Sequence, residues 1–101
     1  MKVDFLDEAE EEFLAAISRY NADRTGLGDE FADEVRRTLE RIVQYPEAWV
    51  ALSRRTRCCL VNRFPYGVLY QMRGDTLLIV AVMHLSRDPR SWRRRLPPSE
   101  R

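Results

Sequence analysis

The chain has 101 residues, 45% of them hydrophobic, enough for one domain over residues 1–101 that buries roughly 60% or more of its unfolded surface. No apolar window approaches the ~20 residues of a membrane span, and the acidic N-terminal stretch lacks the positive region and apolar core of a secretory leader, so the cytoplasm is expected. The formal net charge of +1 hides a division: residues 1–50 hold 6 basic and 13 acidic side chains, residues 51–101 hold 11 and 3.

The first predicted element is a strand over Lys2–Leu6, with Val3 and Phe5 on one side. Asp7 precedes Glu10 by three positions, the spacing of a capping box, and Glu8 to Glu12 bring negative charge to the positive end of a helix. Ala9, Phe13, Ala16, Ile17 and Tyr20 make one helical face, which is core. Leu14 lies about 100° off that stripe, where it is free to touch something else. Asn21 to Gly28 reads as a reversing turn. A second helix follows from about Asp29 to Gln44, with Leu27, Phe31, Val35, Leu39 and Ile42 in register and Pro46 ending it. Ala32 and Val43 widen its apolar stripe into part of a partner groove.

Pro46 to Ser53 is irregular, with Trp49 and Val50 closing one end of the core. Three strands are then expected, over Arg54–Phe64, Gly67–Met72 and Thr76–His84. The turns Pro65-Tyr66-Gly67 and Arg73-Gly74-Asp75 are short enough to force antiparallel neighbours. The apolar run from Leu77 reads as a strand buried on both faces, the middle of the sheet. Cys58 and Cys59, adjacent on a strand, point to opposite faces and read as reduced packing residues. Asp88-Pro89 is a helix start, and Pro97 to Arg101 should fray. The order β-α-α-β-β-β with a short C-terminal α gives an α+β domain: a small antiparallel sheet with an N-terminal helical hairpin packed on one face.

Every basic residue after position 50 is an arginine, the side chain best suited to bidentate contacts with phosphate or carboxylate. The plainer account is a basic sheet whose charges are solvated beneath acidic helices. The C-terminal segment carrying Arg87, Arg90, Trp92, Arg93, Arg94 and Arg95 suits an acidic protein surface or a DNA backbone. His84, the sole histidine, can do acid-base work, although a lone histidine at a strand end is more often structural. Arg57 and Arg63 share one face of their strand. No cluster has metal-ligand spacing and no glycine-rich phosphate loop occurs, so no cofactor is expected.

The strand Arg63-Phe64-Pro65-Tyr66-Gly67-Val68-Leu69-Tyr70, the ending Ala81-Val82-Met83-His84 with Arg87-Asp88-Pro89 and Trp92, and Tyr45-Pro46 closing the second helix together resemble the RelE/ParE toxin superfamily, most of all its ParE branch. The resemblance spans nearly the whole chain. It implies the toxin of a bacterial type II toxin-antitoxin pair, arresting growth and neutralised by a cognate antitoxin in a hetero-oligomer, with Leu14, Ala32, Val43 and Arg57 as antitoxin contacts. The ParE branch acts on DNA gyrase, and the basic C-terminal segment would be the contact. The RelE branch instead cuts mRNA on the translating ribosome, for which His84, Arg63 and Arg87 would be the catalytic set. Members of that branch carry an arginine directly after the tyrosine that opens the third strand, where this chain has Gly67, and Trp92 stands near a family tyrosine without being able to transfer a proton. A homologue that binds antitoxin without toxicity is the third reading.

Overall fold

A computed structural model describes residues 1–101. Strand β1 (Lys2–Phe5) leads into helices α1 (Asp7–Asp23) and α2 (Leu27–Gln44), followed by β2 (Val50–Ala51), β3 (Arg57–Leu60), β4 (Tyr66–Arg73) and β5 (Thr76–His84), then 3-10 turns at Ser91–Arg95 and Pro98–Glu100. The α+β class and the helical hairpin on one sheet face are as expected. Leu6, in extended backbone, is the N-cap of α1 and gives no side-chain bond. Asp7 is therefore the first helical residue and the expected capping box does not form, but Asp7, Glu8 and Glu10 still set negative charge against the helix's positive end.

The expected turn from Asn21 to Gly28 shrinks to three residues, and α2 starts at Leu27, the first residue of its apolar stripe, two residues before the expected Asp29. Gly26 reverses the chain with φ 87°. Asn21 Oδ1 accepts the Gly28 N–H at 2.7 Å, and a Cβ at Gly28 would stand 2.1 Å from the Ile17 carbonyl oxygen. Only glycine lets the two helices approach this closely.

The sheet order is β1-β5-β4-β3-β2. Strands β3, β4 and β5 are antiparallel neighbours as expected, but β1 pairs with β5 in parallel, from Lys2 with Thr76 to Phe5 with Ile79, so the sheet is mixed. The segment expected to be irregular supplies the edge strand β2, paired with β3. Trp49 packs against the core, whereas Val50, 67% exposed, does not close it. β3 is only four residues long. Arg63, placed by sequence on the same strand, lies beyond it with φ 72°, in left-handed backbone. Tyr66 and Gly67, read as turn residues, open β4.

Partner residues shift register between Leu69–Ala81 and Tyr70–Ile79, leaving Val80 as a bulge. Leu77, Ile79 and Val82 consequently face the helices while Val80, Ala81 and Met83 face the other way. The helix-side core centres on Phe31, whose ring meets those of Phe13, Tyr20, Phe64 and Tyr66 at centroid distances of 4.8–6.1 Å. The opposite core is smaller: Leu69, Val80, Ala81 and Met83 under Trp92 and Leu96. Cys58 joins this side and Cys59 the helix side, as strand alternation requires. Burial pushes both thiols up, Cys58 to about 11.

No α-helix starts at Asp88-Pro89. Asp88 Oδ1 accepts the Arg90 N–H at 2.9 Å and the following turn is 3-10, a geometry that drops Trp92 and then Leu96 onto the sheet. Nor does the terminus fray. Gln71 donates to the Glu100 carbonyl at 2.5 Å, Arg73 pairs with the Glu100 carboxylate at 2.8 Å, and Arg101 donates to the Arg93 carbonyl at 2.6 Å. No helix is long and apolar enough to cross a membrane.

Candidate functional site

The basic C-terminal segment divides into two populations. Trp92 is 1% exposed, and the Arg95 side chain is 10% exposed, forked onto Glu12 at 2.6 and 2.7 Å. Both were expected on the contact surface and both are interior. Arg95 also donates to the Val80 carbonyl at 3.0 Å, and Glu12 accepts the Val82 N–H at 3.2 Å. That amide lies past the end of β1, where the last pairing is Phe5 with Ile79, so the carboxylate satisfies a strand group that has no neighbour. The Glu12 hydrogen bonds push the Arg95 guanidinium above its already high ordinary value. The outward population is Arg87, Arg90, Arg93 and Arg94, all exposed. Arg93 lies over the Trp92 ring at 5.2 Å and Arg87 reaches Glu12 at 3.4 Å. Interior, fixed side chains thus hold up a row of arginines facing solvent.

The nuclease set is not assembled. His84 and Arg87 line a narrow cleft of about 160 Å³ with Glu12, Arg19, Tyr66 and Val82. His84 Nδ1 accepts the Ser86 N–H at 3.0 Å and lies 2.7 Å from the Ser86 hydroxyl, while the ring stands edge-on to Tyr66 at 5.1 Å. Arg19 donates to the Tyr66 hydroxyl. Arg63 is not part of this cleft: it pairs with Glu30 at 2.7 Å and Glu34 at 3.5 Å on α2. The hydrogen bond from Arg63 holds the Glu30 carboxyl below the usual carboxylate range. On the other sheet face Gly67 is enclosed, and a Cβ there would meet the Cys58 sulfur at 2.8 Å. An arginine at this position would require Cys58 to move.

The four expected antitoxin contacts fall in different places. Leu14 is exposed on α1. Val43 borders a shallow apolar hollow with Val3 and Leu39. Ala32 borders a charged one with Asp29, Glu30, Asp33 and Arg36. Arg57, half-buried, donates to the Trp49 carbonyl at 2.8 Å. No group of three or more His, Cys, Asp or Glu side chains is placed to hold a metal ion.

Sequence reasoning missed the roles of Glu12 and Tyr66, which it read as helix dipole and turn, and did not single out Arg19. Leu96 was missed too, although its spacing of four from Trp92 was a usable signal for two residues reaching one surface.

Residues 3–89 match the family model of the ParE toxin of the type II toxin-antitoxin system parDE, leaving Arg90, Arg93, Arg94 and Arg95 beyond the matched span. Among solved structures, one from a chromosomal ParDE toxin-antitoxin system of P. aeruginosa is similar, with a TM-score of 0.71 and 11% identity over 83% of this chain and 95% of that chain. At that identity the likeness is one of fold. No curated protein matches the chain.

Proposed function

The chain belongs to the ParE toxin family of type II toxin-antitoxin systems, and from that premise we propose that it arrests growth by binding DNA gyrase, without chemistry of its own, until a cognate antitoxin captures it in a hetero-oligomer. It acts in the cytoplasm as one domain and without a cofactor. The observation that carries the reading is the row of outward arginines, Arg87, Arg90, Arg93 and Arg94, on a segment fixed from below by Trp92, Leu96 and the Arg95–Glu12 fork. Guanidinium groups held on a rigid base lose little freedom when they meet carboxylates or phosphates, and they steer encounter with an acidic surface. Binding rather than catalysis is favoured by Gly67, which offers no side chain to hold a phosphate and where a Cβ would press on the Cys58 sulfur, and by the burial of Trp92.

A second reading, ribosome-dependent mRNA cleavage, draws on the cleft that brings His84 beside Arg19, Arg87 and Tyr66: a base and two cations stand close enough to serve one phosphodiester.

The deciding experiment is gyrase supercoiling and DNA cleavage with the purified chain and with an Arg90→Ala, Arg93→Ala, Arg94→Ala variant. Wild type should inhibit supercoiling and trap cut DNA. The variant should need at least about tenfold more protein, from about 0.5 kcal/mol per lost exposed contact. Unchanged supercoiling at saturating protein sinks the gyrase reading. Toeprinting on translating ribosomes then tests the second: new 5′ ends that vanish in His84→Ala establish it, and no effect in either assay leaves an antitoxin-binding homologue without toxicity.

A further inference from the structure

A second concentration of positive charge lies away from the row just described. A cleft of about 350 Å³ is lined by Pro46, Glu47, Arg54, Arg55, Arg57, Tyr70, Gln71, Met72 and Arg73. Four guanidinium groups thus border one concavity. We propose that this cleft binds phosphate groups of a polyphosphate anion, whether the chain of a nucleotide or the backbone of a nucleic acid.

The cleft is built rather than incidental. Its floor is Tyr70, 1% exposed, whose hydroxyl donates to the Pro46 carbonyl at 2.5 Å. Arg57 is anchored on the Trp49 carbonyl at 2.8 Å. Arg73 is held by Gln71 Oε1 at 3.0 and 3.1 Å, and Gln71, itself 2% exposed, is fixed by donating to Thr56 Oγ1 at 2.9 Å. The loop carrying Arg54 and Arg55 is pinned by Ser53, whose hydroxyl accepts the Thr56 N–H at 3.1 Å and the Arg55 N–H at 3.4 Å. The Arg54 and Arg55 side chains have no hydrogen-bond or ion-pair partner.

Charge selects the ligand. Against four arginines stand Glu47 on the rim and Glu100, which pairs with Arg73 at 2.8 Å; four positive and two negative charges leave a surplus of +2. One carboxylate would satisfy a single forked arginine and leave the rest repelling each other, whereas successive phosphates, each with at least one negative charge and two or more acceptor oxygens, engage several arginines at once. Pro46 and Met72 add a small apolar wall, suited to the sugar or base beside a phosphate. The inference concerns different residues from the gyrase reading and does not depend on it.

The test is calorimetric titration of the full chain with sodium tripolyphosphate, in parallel with Arg54→Ala, Arg55→Ala and with Arg24→Ala, Arg37→Ala on the helical hairpin. Both variants remove two arginine charges, and both pairs sit on exposed surface. Saturable binding to wild type, at least tenfold weaker in the first variant and within twofold of wild type in the second, supports the site. Absence of saturable binding, or equal loss in both variants, overturns it as undirected charge attraction. ATP and a 12-nucleotide oligodeoxythymidine are then used as competitors. Displacement by ATP assigns a nucleotide, displacement by the oligomer assigns a backbone, and displacement by neither marks the tripolyphosphate as an adventitious ion only, which also overturns the proposal.

Discussion

The two faces of the sheet are covered in different ways. On one, two long helices bring an aromatic cluster around Phe31, with the packing spread over many side chains from α1, α2, β4 and β5. On the other, a segment with no α-helix covers Leu69, Val80, Ala81 and Met83, held by Trp92, Leu96 and the fork from Arg95 to Glu12. The first cover is redundant and the second rests on a few points. The lesson is that a basic surface can be built from a short polar sequence when two or three of its side chains turn inward and the others are left facing solvent.

The largest effect that sharpens this contrast is expected from Phe31→Ala, which empties the centre of the helix-side core. It should lower global stability by about 3–5 kcal/mol, read by urea denaturation. Trp92→Ala removes a side chain of larger volume but at a cover with few other contacts. Its cost should stop at the free energy that docks the segment, with amides of β4 and β5 losing hydrogen-exchange protection while α1 and α2 keep theirs. Equal loss of protection in the helices would show that the two faces unfold as one. Glu12→Gln comes next: it leaves Arg95 mostly buried without its counter-charge and should cost about 3 kcal/mol, the lower end for a broken buried pair because the site is not fully dry.

The smallest effect is a pH effect on the tail side. Burial raises the Cys58 thiol from 9.0 to about 11, so the folded chain holds that proton where the unfolded chain releases it. The stabilisation is complete below pH 9 and is lost as pH rises through about 11. Tyr70, raised from 10.0 to about 12 by its own burial, continues the loss at higher pH. Stability should therefore be flat from pH 7 to 9 and fall beyond, and iodoacetamide should label native Cys58 slowly at pH 8. Fast labelling at that pH would mean that the cover opens readily.

The parts of this fold that the sequence made legible are those whose cause is local or periodic. Thr76–His84 was read with its observed bounds because nine residues of strand type sit between a turn and a polar stretch, and the core stripe of α1 follows from spacing alone. What was not legible depends on partners far along the chain. Nothing near Arg95 distinguishes it from Arg93 and Arg94; the difference is Glu12, reached only when α1 crosses the end of β5. Asp88-Pro89 carried a sound helix-start signal, yet burial of Trp92 and Leu96 selected a tighter turn. The parallel pairing of β1 was hidden because four residues carry too little pattern to name a neighbour. The arginine cleft escaped notice because Arg73 joins Arg54, Arg55 and Arg57 only across the strand pairing.

That parallel pairing bears on how the molecule comes into being on the ribosome. Lys2 finds its ladder partner in Thr76, so the first strand waits while both helices and three further strands are made. The helical hairpin needs only neighbouring residues and can form early, but the sheet edge closes after most of the chain has been synthesised, at about 5–20 residues per second. During those seconds the nascent chain presents its acidic half to the cell before the arginines of its basic half exist. A partner that recognised the hairpin alone could engage the protein before its basic surface is complete.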